Sequence, residues 1–286
     1  MIATDINGIS AFLNSLDSGK VYCFRGQASS TWGLVPSLYR RPKGTKRSIG
    51  RADGDWIGRA ERDVYRDFRR HASGQIKLDD WWDVLCVAQH YGCPTRLLDW
   101  TRNILVAAFF AVLRVDNDSK SSAIWCLNLS DFPFHPGLMR PVPKGGYRFE
   151  NLKSYSGGFK PSFFQEVSSP IRVTRSGHGL PEATLSVFEA PSIVPRIESQ
   201  DSLFSIYLSY YDSDLVTDQA RIARAAEKKA NVKLLTKLEI PHGAAEKVRT
   251  DLGRIGMNNF KLFPDLVGLG AYMKEEHLQS VIDNLL

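Results

Sequence analysis

The chain has 286 residues, 43% of them hydrophobic and 24% charged, and a formal net charge of +6. That balance excludes an intrinsically disordered chain and supplies enough apolar material for a packed core. No run of about 18 apolar residues is present, so no membrane-spanning helix and no membrane partner are predicted, while the positive charge favours an anionic partner such as a nucleotide or nucleic acid.

Ile6, Ile9, Phe12, Leu13 and Leu16 recur at helical spacing within Asp5 to Ser18, which predicts a short amphipathic helix ended by Gly19. Lys20 to Gln27 reads as a buried strand stopped at Gly26. Arg25, near its end, must find an anion or a ring of acceptors: Asp99 or Glu61 inside the protein, or the phosphate or ribose of a ligand. Trp32 to Arg40 reads as a bent segment, and the basic run Arg40, Arg41, Lys43, Lys46, Arg47 and Arg51 as an exposed loop. A helix is expected from Asp55 to about His71, with Ile57, Ala60, Val64 and Phe68 inward and Glu61 near the apolar side. A second is expected from Leu78 to Gln89, opened by Asp79 and Asp80 and buried through Trp81, Trp82, Leu85, Val87 and Ala88.

The stretch from Ala88 to Ala111 mixes polar chemistry with core. It predicts a helix ending near His90, a turn at Gly92-Cys93-Pro94, an extended piece from Thr95 to Leu98, and a helix from Asn103 to Arg114 capped by Asp99 or Thr101. Ile104 to Ala111 has almost no polar face, which makes that helix central and buried. His90 reads either as a general acid or base or as a helix-end residue bonded to the backbone. Arg96 and Asp99 read either as a buried ion pair that fixes the turn or as ligand-binding groups.

Beyond it, Ala123 to Leu129 reads as a strand, and the Pro- and Gly-rich region from Phe132, with its ambiguous continuation over Phe159 to Val173, as a peripheral insertion over about 132–180. Strands are expected at Glu182 to Ala190 and Leu203 to Leu208. Between them Pro191 and Pro195 keep the chain extended or tightly turned, leaving Arg196 and Gln200 in a loop. A basic helix over Gln219 to Lys229, a half-exposed strand over Val232 to Ile240, a helix from Gly243 to Ile255 closed by Gly256, and a last helix from Gly268 towards Leu286 complete the order. With no internal repeat and no linker, the expectation is one α+β domain over 1–286 with a mixed, mostly antiparallel sheet packed by helices.

Four widely spaced cysteines, Cys23, Cys86, Cys93 and Cys126, suit reduced thiols better than a disulfide frame. The first residues carry no basic segment followed by an apolar one, and a cytoplasmic location is expected. The six histidines are isolated, so no metal is expected, and no Gly-x-Ser-x-Gly elbow occurs.

Several blocks together resemble the FRG domain family. They are Phe24-Arg25-Gly26-Gln27 with Leu34 through Arg40; the Gln89-His90-Tyr91-Gly92 turn followed by Pro94-Thr95-Arg96-Leu97-Leu98-Asp99-Trp100-Thr101; Pro195-Arg196-Ile197 through Gln200 and Phe204; and Phe263-Pro264-Asp265-Leu266. The sequence departs from the family's pattern at Cys93, at Ile104 and at Ser202, where a Gly is expected. The order of elements is also similar to that of ADP-ribosyltransferases. That similarity implies NAD as the substrate, with Arg25 gripping it and Thr101 orienting the nicotinamide ribose. Gln200 then stands in the place of a late Glu that polarises a ribose hydroxyl. Because Gln200 is neutral and cannot act as a base, Asp99, Glu198 or Asp201 would supply the anion.

Arg25, Gln27, Tyr39, His90, Tyr91, Arg96 and Arg196 are the expected ligand contacts. On this reading the protein is an NAD-dependent effector of toxin or phage-defence type that modifies nucleic acid or protein, with a protein acceptor or an antitoxin as partner. The alternative is a non-catalytic module that binds a nucleotide or nucleic acid, with the basic loop gripping phosphates and Trp32 or Trp56 stacking on bases. The first reading requires its residues to converge in one cleft wide enough for a dinucleotide.

Overall fold

A computed structural model describes residues 1–40, 54–78, 81–114, 120–131, 140–142, 146–148, 185–189, 193–207 and 233–278. The basic loop beyond Arg40, the basic helix over 219–229 and nearly all of the insertion lie outside these residues, as do the side chains of Trp56, Ile57, Trp81 and Trp82.

The centre is a six-stranded sheet in the order β6-β7-β2-β1-β3-β8, built from β1 (Tyr22–Gln27), β2 (Leu97–Thr101), β3 (Ser121–Asn128), β6 (Leu185–Glu189), β7 (Ser202–Tyr207) and β8 (Leu235–Pro241). Every pairing between these strands is antiparallel. The α+β expectation holds, and the expected mixed character reduces to one isolated parallel bridge from Ile2 to Glu239. There Ala3 N donates to Glu239 O, and Glu239 N to Met1 O, so the first residues cover the free edge of β8. A two-stranded ribbon, β4 (Arg140–Val142) and β5 (Gly146–Arg148), is separate from this sheet.

Helices pack on the sheet through clusters whose side chains alternate along the strands. Phe24, Ile124, Cys126, Leu238 and Ile240 meet α1 (Ile6–Asn14), α4 (Ile104–Val112) and α6 (Ala245–Arg254). Leu97, Phe204 and Ile206 meet α2 (Gly54–Ala72) and α3 (Trp81–His90) through Tyr65, Val84, Leu85 and Ala88. Cys23, Leu98, Trp100, Trp125, Leu127 and Leu203 form a third cluster with Leu34. The central helix α4 is buried at seven of its nine positions, as its apolar sequence requires.

Two local expectations are corrected. Asp99 to Thr101 belong to β2 and cap nothing; the cap of α4 is Asn103, whose side chain accepts from Leu105 N at 2.9 Å, while Thr101 Oγ1 accepts from Asn103 N at 3.0 Å. The segment before β7 is a one-turn helix, α5 (Pro195–Ser199), because Pro195 sits at its first position, where a missing N–H costs nothing. Ser202 stands where Gly is expected without disturbing the turn, since Asp201 takes the left-handed conformation (φ 46°), which an Asp tolerates. Among the described residues three α-helices follow β8, namely α6, α7 (Asn259–Leu262) and α8 (Leu266–Met273), with a 3-10 turn over His242–Ala244 before them and a π-helical turn over Lys274–Leu278 after them.

The turn after α3 is a Schellman stop. Gly92 adopts φ 82°, its N–H donates to Gln89 O, and Cys93 N donates to Ala88 O. Cys93 packs beside the Ala88 cluster, which is why an apolar residue suits that place.

Candidate functional site

β1 and β3 are in register along all of β1, and β2 pairs with β7 along its whole length, but β1 and β2 meet only at Phe24 and Thr101. Beyond that pair the two central strands part. The parting strips backbone groups of their ladder partners, and Arg25 answers this directly: its Nη1 donates to Asp99 O at 2.8 Å and to Asp99 Oδ2 at 3.3 Å.

A cleft of about 340 Å³ opens there. Its lining combines polar residues, Arg25, Gln89, His90, Asp99, Thr101 and Arg196, with apolar ones, Phe24, Val106, Ala107, Phe110 and Phe263. Trp32, 48% exposed, and Arg40 also line it. Burial first, and then the neighbouring Arg25 charge, lower the Arg40 pKa.

Several of the polar lining residues form a chain of oriented groups. Gln89 Nε2 donates to Asp99 Oδ2 at 2.8 Å, so that oxygen accepts from Gln89 and Arg25 together. Thr95 Oγ1 in turn donates to Gln89 Oε1, and accepts from Leu97 N at 3.0 Å. Arg196 lies with its guanidinium carbon 4.3 Å from the centre of the Phe263 ring, and its Nη1 donates to His90 O at 3.2 Å.

Among the described residues four buried side-chain polar atoms have no hydrogen-bond partner, and three of them, Arg25 Nε, His90 Nε2 and Arg196 Nε, belong to residues of this cleft. Leaving such atoms without a partner is costly, and three of the four cluster at this one cleft. A second cavity, of about 410 Å³, has no orphaned atom: its Lys20 pairs with Asp131 at 2.7 Å, and Asn128 Nδ2 donates to the same carboxylate at 2.7 Å.

His90 packs edge-on against Phe204. Burial pushes its pKa from the usual 6.5 down to about 4, with Asp99 opposing and Arg196 reinforcing the shift. The imidazole is therefore neutral near pH 7. A histidine that stays neutral in the folded state while it charges in the unfolded one favours unfolding as pH falls from about 6.5 towards about 4. This destabilisation is expected to reach on the order of 2–3 kcal/mol, and urea titrations across that range should show His90→Gln to be less acid-sensitive than the wild type.

The cleft gathers Arg25, Gln27, His90, Asp99, Thr101, Arg196 and Gln200, drawn from segments as far apart as β1 and the end of α5. It does not gather the other expected contacts. Arg96 is fully buried against Glu61, and Tyr39 is 1% exposed, neither lining the cleft; Tyr91, at the outer end of the Schellman turn, is 59% exposed and also outside it. Arg96 and Asp99 do not pair, because side chains three positions apart in an extended segment leave on opposite sides; their partners are Glu61 and Arg25.

Two polar residues of the cleft are committed to the frame. Gln27 accepts from Trp125 Nε1 at 2.8 Å and donates to Gly33 O at 3.1 Å, and Gln200 Nε2 donates to Leu262 O at 2.9 Å. Glu198 and Asp201 are not among the residues that line the cleft; Asp201 pairs with Arg102, and among the described lining residues Asp99 is the single carboxylate. Gln89, Phe110 and Phe263 are cleft residues that were not among the expected contacts; Gln89 and Phe263 stand in the blocks that carry the family resemblance, and that was the signal that could have found them, whereas Phe110 is one apolar residue in an apolar run.

The described residues contain no group of His, Cys, Asp and Glu placed to hold a metal ion, and no helix long and apolar enough to cross a membrane. Cys23, Cys86 and Cys126 are buried and Cys93 is half-buried, none of them in a disulfide among the described residues.

Residues 20–120 match the family model of the FRG domain. That span covers β1, the parted edge of β2 and the helix α4 behind them, whereas Arg196, Gln200 and Phe263 reach the cleft from beyond it. No curated protein and no solved structure matches the chain.

Proposed function

We propose that this chain, whose residues 20–120 form an FRG domain, binds a nucleotide in the cleft between β1 and β2. The observation that carries the reading is the convergence of three arginines, Arg25, Arg40 and Arg196, on one cleft, with polar capacity left unused at Arg25, Arg196 and His90. Guanidinium groups suit the oxygens of a phosphate, and the neutral His90 imidazole suits a sugar or base. Phe110, Phe263 and Trp32 supply flat surfaces for a ring. The volume lies at the lower end of the roughly 300–1,000 Å³ of ligand pockets, which suits a mononucleotide-sized body.

Calorimetric titration with AMP, ATP, ADP-ribose and NAD tests it. Saturable binding that weakens with added salt is expected. Arg25→Ala should weaken it by about tenfold to a hundredfold through loss of a charged hydrogen bond, and the exposed Trp32→Ala by about tenfold through loss of stacking. The reading fails if no nucleotide binds, or if both variants bind as the wild type does.

A second reading, ADP-ribosyl transfer from NAD, is favoured by one observation: a carboxylate, Asp99, 48% exposed, stands in the cleft beside Arg25. NAD would enter as substrate, with one half of the dinucleotide in the cleft and its phosphates at Arg25 and Arg196. Asp99 would take the acceptor's proton as the acceptor bonds to the ribose C1′ and nicotinamide leaves with the electron pair of the broken bond. Incubation with labelled NAD and a panel of DNA, RNA and protein should then release nicotinamide in the wild type and not in Asp99→Asn or Arg25→Ala.

A further inference from the structure

The Asp99 carboxylate is held in one orientation by a chain of hydrogen bonds whose direction is dictated end to end. The Asp99 carboxylate, paired with Arg25, only accepts, so Gln89 turns its Nε2 to Oδ2, where the Arg25 guanidinium also donates. That leaves Gln89 Oε1 facing Thr95 Oγ1, which donates to it and accepts the Leu97 N–H. Thr95 is itself fully buried and pinned by its backbone, its N accepted by Ser37 Oγ at 3.0 Å and its O accepting from Leu38 N at 3.0 Å, so the chain starts from a rigid point. Among the described residues nothing donates to the other oxygen, Asp99 Oδ1, and Asp99 lines the cleft. An ionised carboxylate is an acceptor only. With Oδ2 doubly occupied, what it offers a ligand is one fixed acceptor, and the ligand must bring the donor.

We propose that Thr95 and Gln89 are positioning residues that lock Asp99 as this acceptor, so that the cleft selects ligands carrying a hydroxyl donor there, a ribose in preference to a deoxyribose. The inference rests on the nucleotide reading of the cleft and names the sugar it takes. A phosphate cannot occupy Oδ1, since two anions would meet; a ring carbon cannot, since the carboxylate would lose its hydration without replacement. A sugar hydroxyl beside the phosphate held by the arginines satisfies it; a base N–H would also do so, and comparing each nucleotide with its deoxy forms separates the two, because only the sugar contact is lost with the hydroxyl.

The test compares dissociation constants, by calorimetry, for AMP, GMP, CMP and UMP with those of their 2′-deoxy and 3′-deoxy forms, in the wild type and in Asp99→Ala, Gln89→Met and Thr95→Ser. The wild type is expected to prefer the ribose form by about tenfold to a hundredfold over at least one of the deoxy forms, the worth of a hydrogen bond to a charged group. Asp99→Ala should abolish that preference, Gln89→Met should reduce it at least several-fold, and Thr95→Ser, which keeps the hydroxyl, should retain it. A purely structural defect weakens both sugars alike and leaves the ratio where it was. Nucleotides that bind with no sugar preference overturn this inference and leave the nucleotide reading standing. Preference that survives intact in Gln89→Met overturns the positioning role, and failure of every nucleotide to bind overturns both.

Discussion

Arg96→Met is expected to cost about 3–5 kcal/mol of folding stability, the price of stranding one member of a buried ion pair. Arg96 and Glu61 are both fully buried. Arg96 Nε donates to Glu61 Oε1 at 2.7 Å and to Oε2 at 3.0 Å, its Nη2 also reaches Oε2, and Tyr65 Oη donates to Oε1 at 3.1 Å. With the guanidinium gone, the carboxylate keeps only the Tyr65 hydroxyl among these donors. The double variant Glu61→Leu with Arg96→Met removes both charges and is expected to recover most of the loss, because a well-packed apolar pair avoids the desolvation that the ion pair must offset. Urea unfolding of the wild type, both single variants and the double variant closes the cycle; additive losses would show that the two charges are not coupled. Since Arg96 directly precedes β2 and Glu61 lies on α2, the pair also braces the strand that carries Asp99.

Gly26→Ala is expected to cost about 3 kcal/mol, at the upper end for overpacking, and to abolish binding in the cleft. A Cβ at Gly26 would fall on the carbonyl oxygen of Ala107 and lie 2.5 Å from Ala111 N, both backbone atoms of α4. No rotamer relieves such an overlap. The helix must lift from β1, and because Gly26 and Ala107 both line the cleft, its wall moves with it. Gly253→Ala is the control: nothing lies within 4 Å of a Cβ there, and in helix α6 the change should add about 0.5–1 kcal/mol. Equal thermal stability of the Gly26→Ala variant and the wild type would refute the close-approach argument.

Local readings were legible where one physical signal dominates. The uninterrupted apolar run from Ile104 to Ala111 could only be a buried helix, and the Gly92 turn could only end one. Arg25 at the end of an apolar strand had to find acceptors, and Asp99 was one of the two partners expected. Glu61 on the apolar side of its helix was legible as an inward acid, but its partner was not. The geometry that exchanged the partners, Arg96 with Glu61 and Arg25 with Asp99, depends on which side of β2 each side chain leaves and on where β1 and β2 part.

The sequence by itself determined the α+β class, the order of most strands and helices, and the resemblance that the family match over residues 20–120 supports, because periodicity, turn chemistry and a long local motif are written in neighbouring residues. Packing in three dimensions was needed to show that β1 and β2 share a single ladder pair, that Arg196 and Phe263 reach the resulting cleft, and that Tyr39, Tyr91 and Arg96 do not. The roles of Gln89 and Thr95 also waited for it. A polar side chain acquires a direction only from the partners that packing brings within hydrogen-bond reach, and those partners come from residues far apart in the chain.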